Sequence, residues 1–456
     1  MSTVTAVTAA IVTRAMDLGR EAIPANAEEL ARQCILDWFG CALAGREEPL
    51  SRILLAQAAE EGCNPVASVV GYPDRVSTRQ SALLNGAFGH AIDYDDVNTA
   101  MGGHPTAAIL PAVLAASEAE GCSGELMLRG FIAGYEAAGM VGQLVAPGHY
   151  ARGFHATGTV GTIGAAVGCS IVMGLDAEAT ARAVGIAATQ AAGLKAQFGT
   201  MCKPLHAGKA SETGLVSAQL ARRGFSSRTD ILETAQGFAR TLSPDFQVEA
   251  ALAPASGGLH ILNNLFKYSA ACYGTHGAIE AARALAREHS IRPSDIRHAE
   301  IRVNEGADRM CNIVAPRNGL EGKFSLRFNT AFALAGGNTA SPDSYSVETV
   351  TRPDLVDLQE RLGVRLMKGD WAAHETELQI ETQDGRTLTR KVDTSVPAAD
   401  LSTQALRLRQ KFFDLAGPAL GTEQAEGLAR LISGITQQND VKALLDSACR
   451  IELRST

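Results

Sequence analysis

Nineteen consecutive residues without a charge, TGTVGTIGAAVGCSIVMGL (157–175), restrict what this chain can fold into. A run of that length approaches the roughly 20 apolar residues that span a bilayer. Its Gly, Thr and Ser content makes it only weakly apolar, and no basic flank orients it. The expected element is a central helix buried on all sides. Its glycines at 158, 161 and 164 would let neighbouring helices approach closely. They run G-x-x-G-x-x-G, and no strand precedes them, so a dinucleotide-binding turn is excluded. A helix with no polar face needs a shell of other helices around it.

The chain supplies that shell. Residues 1 to about 265 read as almost wholly helical, beginning with an amphipathic pattern in MSTVTAVTAAIVTRAMDLG. In PANAEELARQCILDWFGCALAG (24–45), Asn26 and Glu29 suggest a capping box and Gly45 a stop. SALLNGAFGHAI, ELMLRGFIAGYEAAGMVGQL, AEATARAVGIAATQAAGL and KASETGLVSAQLARRG continue the series, with no alternating strand pattern between them. The character changes after APASGG (253–258). RHAEIRVN (297–304) alternates, and ETELQIETQDGRTLTRKVD (375–393) predicts a hairpin whose Asp384-Gly385 suits a two-residue type I′ turn. THGAIEAARALAREH and DLVDLQERLG lie among these strands as helices. Helical pattern returns in STQALRLRQKFFDLAG and EQAEGLARLISGIT. With 456 residues, too many for one core, the expected fold is mainly α. An all-helical domain (1–266 and 397–456) is built from both chain ends, with a smaller α+β lid domain (267–396) inserted.

The net charge of −8 leaves no basic footprint for nucleic acid. An acidic protein that binds an anion needs a local cationic pocket, because its overall field points the wrong way. The nine cysteines are scattered singly. That excludes a zinc ribbon or a closely spaced iron–sulfur motif, and suggests reduced thiols in the cytoplasm.

Three segments carry chemistry. GHAIDYDDVNTAMGGHPTAAILPAV (89–113) gathers His90, Asp93, Asp95, Asp96 and His104 into one loop. Asp95 and Asp96 suit helix capping or a solvated surface. His104, between Gly102-Gly103 and Pro105, stands at the entry to an apolar helix, where the helix N-terminus favours an uncharged ring able to accept a proton. No H-x-x-H or H-E-x-x-H pair fixes metal geometry, so acid–base use ranks above a metal site. GHYARGFHATGTVGTIG (148–164) sets His155 before the Gly-rich helix, with Tyr150 and Arg152 close in sequence. GLKAQFGTMCKPLHAGKASETG (193–214) holds Lys195, Lys203 and Lys209, three of the chain's nine lysines, with His206 between the last two. A solvated basic loop explains it, and so does a carboxylate receptor at a helix start. NNLFKYSAACYGTH (263–276) adds Lys267, Tyr268 and His276 at the expected domain junction, where clefts form.

ILDWFGCALAG, NGAFGHAIDYDD, GGHP, GFHATGTVGTIGAA, KPLHAGKA, FKYSAACYGTH, KFSLRF and KFFDLAG follow one another along nearly the whole chain. In that order they resemble the MmgE/PrpD family, whose activities include dehydration of 2-methylcitrate, decarboxylation of cis-aconitate and epimerisation of iminodisuccinate. The resemblance implies a large helical domain, a smaller α+β lid domain, a homodimer and no cofactor; the loop's residues have already set a metal aside. It places site residues at Asp93, His104, His155, Lys203, His206 and Lys267. Val97, Cys272 and Phe328 stand where the decarboxylase branch has Thr, His and Tyr. Losing those proton donors points toward an epimerase, which needs only two bases on opposite faces of one carbon. The expectation is therefore inversion of a Cα beside a carboxylate, on iminodisuccinate, a small polycarboxylate. His104, His155, Asp93 and Lys267 would do the chemistry, and Lys203, His206, Tyr150 and Arg327 would hold substrate. A lyase acting on a tricarboxylate, of the dehydratase or decarboxylase type, is the alternative. A non-catalytic helical protein with polar capping loops is the reading from another class.

Overall fold

A computed structural model describes residues 6–449. The first five residues of the expected N-terminal helix lie outside that range, and helix α1 runs Val7–Leu18. The chain divides into two compact units, Met1–Phe266 with Ala398–Thr456, and Lys267–Pro397.

The first unit is helical: α2 (Ala25–Gly45), α3 (Thr78–His90), α4 (Pro105–Glu120), α5 (Gly124–Val145), α6 (Ala156–Val172), α7 (Ala177–Ala188) and α8 (Cys202–Arg222) form its frame. Every residue of α6 is buried, as the uncharged run requires. No helix among the described residues is long and apolar enough to cross a membrane. Glycine spacing explains how α6 is enclosed. Gly130 and Gly134 of α5 face Gly164 and Gly168 of α6, four residues apart on each helix and hence on one face. A Cβ at Gly134 would lie 2.6 Å from the Gly164 carbonyl oxygen, and one at Gly168 would lie 2.8 Å from that of Gly130. The two backbones therefore touch, and no side chain fits between them.

Local signals behave unevenly. Ser77 caps α3 with a capping box completed by Gln80. The box expected at Asn26 is not formed: Pro24 occupies the N-cap of α2 without a side-chain bond. Gly45 ends α2 in contact with the Phe88 carbonyl, as a close-packing glycine with no left-handed cap. Helix α8 begins at Cys202, earlier than the sequence suggests, and so carries Lys203, His206 and Lys209 together. Two-residue antiparallel ladders, Ala67–Ser68 with Arg75–Val76 and Val97–Asn98 with Asn264–Leu265, interrupt the helical series.

The second unit holds a four-stranded sheet of β1 (Ile296–Asn304), β2 (Leu362–Met367), β3 (Glu375–Thr382) and β4 (Thr387–Asp393), in the order β2-β1-β3-β4. β2 runs parallel to β1, while β3 and β4 are antiparallel additions. Ile301, Leu378 and Ile380 are buried on the face beside the helix His276–His289, and Arg302 ties Glu300 and Glu377 together on the other. The expected hairpin forms, with a different turn. Only Gly385 has positive φ, Gly385 N–H bonds to Thr382 O, and Thr382 N–H bonds to Arg386 O. That is a three-residue loop with glycine in the left-handed position, not a type I′ turn. The architecture is mainly α with a smaller α+β part.

Gly134→Ala should destabilise the protein by about 1–3 kcal/mol, because the added methyl meets backbone that cannot yield. Gly417→Ala, in the helix Leu401–Leu420 where nothing lies within 4 Å, should stabilise it by about 0.5–1 kcal/mol. Urea midpoints of the two variants check both signs.

Candidate active site

Two helix starts meet in the first unit. His104 is the N-cap of α4 and His155 the N-cap of α6. The backbone N–H of His104 donates to Thr157 Oγ1 at 3.0 Å, fixing one start against the other. His104 Nδ1 lies 2.8 Å from the Asp96 carbonyl oxygen. A carbonyl only accepts, so Nδ1 carries the hydrogen and Nε2 is left as the open nitrogen. It faces Asp93 Oδ1 at 4.0 Å.

Asp93 is one of two non-glycine residues with positive φ among the described residues, at +53°. Aspartate tolerates that region better than most side chains, and strain of this kind clusters at functional sites. The conformation offers Asp93 Oδ1 to the Lys203 ammonium at 2.7 Å. Lys203 lies in the first turn of α8, over the Phe198 ring. Phe198 also meets the His155 ring edge-on at 5.0 Å.

His155 is buried, and its Nδ1 lies 3.1 Å from Nδ1 of His206. Burial first, and then the nearby His90, Lys203, His104 and His206, hold the His155 imidazolium well below the usual histidine range. Burial also lowers His206.

Asp95 and Asp96 correct the expectation of solvated or capping carboxylates: both are fully buried. Asp95 accepts from His90 Nδ1 at 2.8 Å and sits 3.3 Å from His104 Nδ1. Burial alone would raise Asp95, but His90 and His104 outweigh it and hold the carboxyl well below its ordinary value. Burial also drives His90 down to about 4, so that ring is neutral and keeps Nδ1–H on Asp95. Asp96 has no such partner. Burial pushes it up to about 8 against the Thr106 hydroxyl bond, with Asp95 and Asp37 adding to the rise.

His90, Asp93, Asp95 and His104 each offer one ligand atom within 4.8 Å of the others. Two nitrogens and two oxygens suit a divalent cation. An ion there would compete with the Lys203 ammonium for Asp93 and with the His90 ring for Asp95. The bonds in place make an acid–base network.

The expected residues divide accordingly. Asp93, His104, His155, Lys203 and His206 come together. Tyr150 is half exposed, with the Lys195 ammonium 3.5 Å over its ring. Lys209 pairs with Glu212. Lys267 opens the second unit, where Arg327 donates to Leu362 O and Asn312 Oδ1. Sequence reasoning named His90 without giving it a role, and passed over Asp37 and Lys411. Lys411 pairs with Asp37 at 2.6 Å and donates to the Tyr94 carbonyl at 2.7 Å, so it fastens the loop that carries Asp93 to Asp96. The available signal was a charge set beside apolar residues in each helical run, Asp37 in ILDWFG and Lys411 in KFFDLA, where charge is rarely buried unless paired.

Comparison with known proteins agrees with the motif order. The MmgE/PrpD N-terminal domain matches residues 9–251 and the MmgE/PrpD C-terminal domain residues 269–435. A cis-aconitate decarboxylase from Aspergillus terreus is 25% identical, covering 96% of this chain and 95% of that protein. A cis-aconitate decarboxylase-like protein from Aspergillus oryzae is 26% identical, covering 96% of both chains. The human cis-aconitate decarboxylase is 26% identical over 91% of this chain and 88% of its own. These relatives carry a lyase name, and nothing in the comparison favours the epimerase expectation.

The two aspartates predict a pH signature. With a folded value of about 8 against an ordinary 3.8, native Asp96 keeps a proton that the unfolded chain has lost. Its contribution to stability is therefore complete below pH ~4 and is lost as pH rises toward ~8. Asp96→Asn removes that loss, so its melting temperature relative to wild type should climb between pH 5 and 8.5 (roughly the window set by those two values). A pH-independent difference would contradict a protonated Asp96.

Proposed function

The chain belongs to the MmgE/PrpD family, and from that premise we propose that it is a lyase removing CO2 from a small tricarboxylate of the cis-aconitate type. The carrying observation is the pairing of an open imidazole nitrogen, His104 Nε2, with the Asp93–Lys203 ion pair 4.0 Å away. An anion entering beside Lys203 meets a cation, two imidazoles and the N-termini of α4 and α6, all of which favour negative charge.

Loss of CO2 from cis-aconitate breaks one C–C bond. The electron pair left behind moves through the adjacent C=C to a carbon beside a carboxylate, and that carbon takes one proton. Cations and fixed dipoles stabilise the developing charge, usually the largest catalytic contribution. Lys203 is held for that role by Asp93. His104 and His155 handle the proton, with His104 kept in one tautomer by the Asp96 carbonyl and Asp95. Every group used here lies in the first unit.

The three sequence departures weigh less against a lyase in this setting. Phe328 is fully buried and stacks on Phe332 at 5.5 Å, so a phenol missing there is missing from an aromatic core. Cys272 is buried, a free thiol in a hydrogen bond with the free thiol of Cys311. Val97 sits in the short ladder with Leu265. None of these positions removes His104, His155 or Lys203.

Proton NMR of the purified protein with cis-aconitate should show a new terminal alkene, with CO2 release in equal amount measured by a separate gas assay. Iminodisuccinate run in parallel in D2O should keep its Cα protons. Deuterium entering iminodisuccinate while cis-aconitate stays inert would overturn the lyase in favour of the epimerase. His104→Ala and Lys203→Met should each lower kcat/KM by roughly a hundredfold or more with little change in Tm. Unchanged turnover would remove those residues from the site.

A further inference from the structure

Resting on the lyase reading, we propose that His206 is a proton-relay residue that resupplies His155 from a solvent-filled cavity behind it, and not a substrate-binding group. Two Nδ1 atoms 3.1 Å apart make a hydrogen bond only if one carries a hydrogen and the other a lone pair. The His206 Nδ1 is therefore committed to His155, not to a carboxylate.

The two rings differ in exposure. His155 is 2% exposed, while His206 is half-buried and lines a cavity of about 250 Å³. Gly158, Thr162, Gly193 and Ala210 form its inner wall, and the exposed Gln190 and Gln197 stand on its rim. At ~30 Å³ per water, that volume admits several. Lys209, the cation on the rim, is already paired with Glu212, so the cavity is no strong anion receptor. Gly193 seals the relay from above. Its carbonyl accepts the His155 backbone N–H at 3.0 Å, and a Cβ there would lie 3.3 Å from His206 Cγ and 3.5 Å from His155 Cβ. Its φ of +143° also disfavours any side chain.

Decarboxylation consumes one proton per turnover, at a moment when substrate blocks the direct route to His155. In the relay, water in the cavity gives a proton to His206 Nε2. His206 passes its Nδ1 proton to His155 Nδ1, and His155 gives its Nε2 proton to the carbanion. One proton enters and one leaves each ring. When product departs, water entering the open site protonates His155 Nε2, and the reverse transfer restores both tautomers.

His206→Ala and His206→Gln separate the readings. With cis-aconitate as substrate, a relay predicts that both lose kcat by roughly tenfold or more with KM little changed. Glutamine keeps a hydrogen bond to His155 but cannot pass a proton on. Added imidazole, small enough for the cavity, should restore kcat in His206→Ala saturably. A raised KM without rescue, or wild-type kcat in His206→Gln, would overturn the relay in favour of binding or positioning. If wild type itself leaves cis-aconitate untouched, the lyase reading fails separately. The relay is then read from 15N-imidazole NMR. Exchange of the His155 ring proton with solvent should be at least about tenfold slower in His206→Gln, as for any lost general acid–base group, and unchanged exchange would end it.

Discussion

The ammonium of Lys411 and the carboxylate of Asp37 lie 2.6 Å apart, each almost fully buried. Taking both charges out of water costs several kcal/mol, so the pair adds little net stability, but losing either partner strands the other. Its consequence is positional. Lys411 also donates to the Tyr94 carbonyl and lies 3.9 Å over the Tyr94 ring. The helix Leu401–Leu420 therefore grips, through one side chain, both α2 and the loop bearing Asp93, Asp95 and Asp96. The chain must return to its N-terminal half for the site to exist.

Held there, two adjacent carboxylates take opposite protonation states. Burial raises both equally in principle, and partners decide the outcome. Asp95 receives two imidazole Nδ1 atoms and stays charged; Asp96 receives one hydroxyl and keeps its proton. The neutral Asp96 avoids a second buried negative charge beside Asp95 and Asp37. Its backbone carbonyl still sets the His104 tautomer. The residue acts through its main chain, which no side-chain pattern encodes.

That contrast marks how far the sequence could be read. The mainly helical character of the first unit, the buried α6, the strand at 296–304 and the hairpin at 375–393 follow from period and charge, which local residues determine. His104 and His155 stood out because glycine and proline bracket helix starts, and both are N-caps. The signals failed where the deciding partner is distant. Asp95 looked exposed because the imidazoles that accommodate it could not be seen meeting it. Lys411 is more than three hundred positions from Tyr94. The type I′ turn failed for a local reason: Gln383 joins the loop, so Asp384 need not adopt positive φ.

The strained backbone at Asp93 follows from the same anchoring. A non-glycine residue at φ +53° costs on the order of 1 kcal/mol and relaxes unless its neighbours prevent it. Here they do on both sides. His90, whose carbonyl accepts the Asp93 N–H, is tied to Asp95, and Tyr94 is tied to Lys411. The carboxylate is thereby presented to Lys203 before any ligand arrives. An ammonium already oriented needs no reorganisation when charge develops beside it, which is what makes a fixed cation more effective than a mobile one. In an acidic protein, whose overall field repels a polycarboxylate, that local order has to come from structure, and the buried Lys411–Asp37 pair is where it begins.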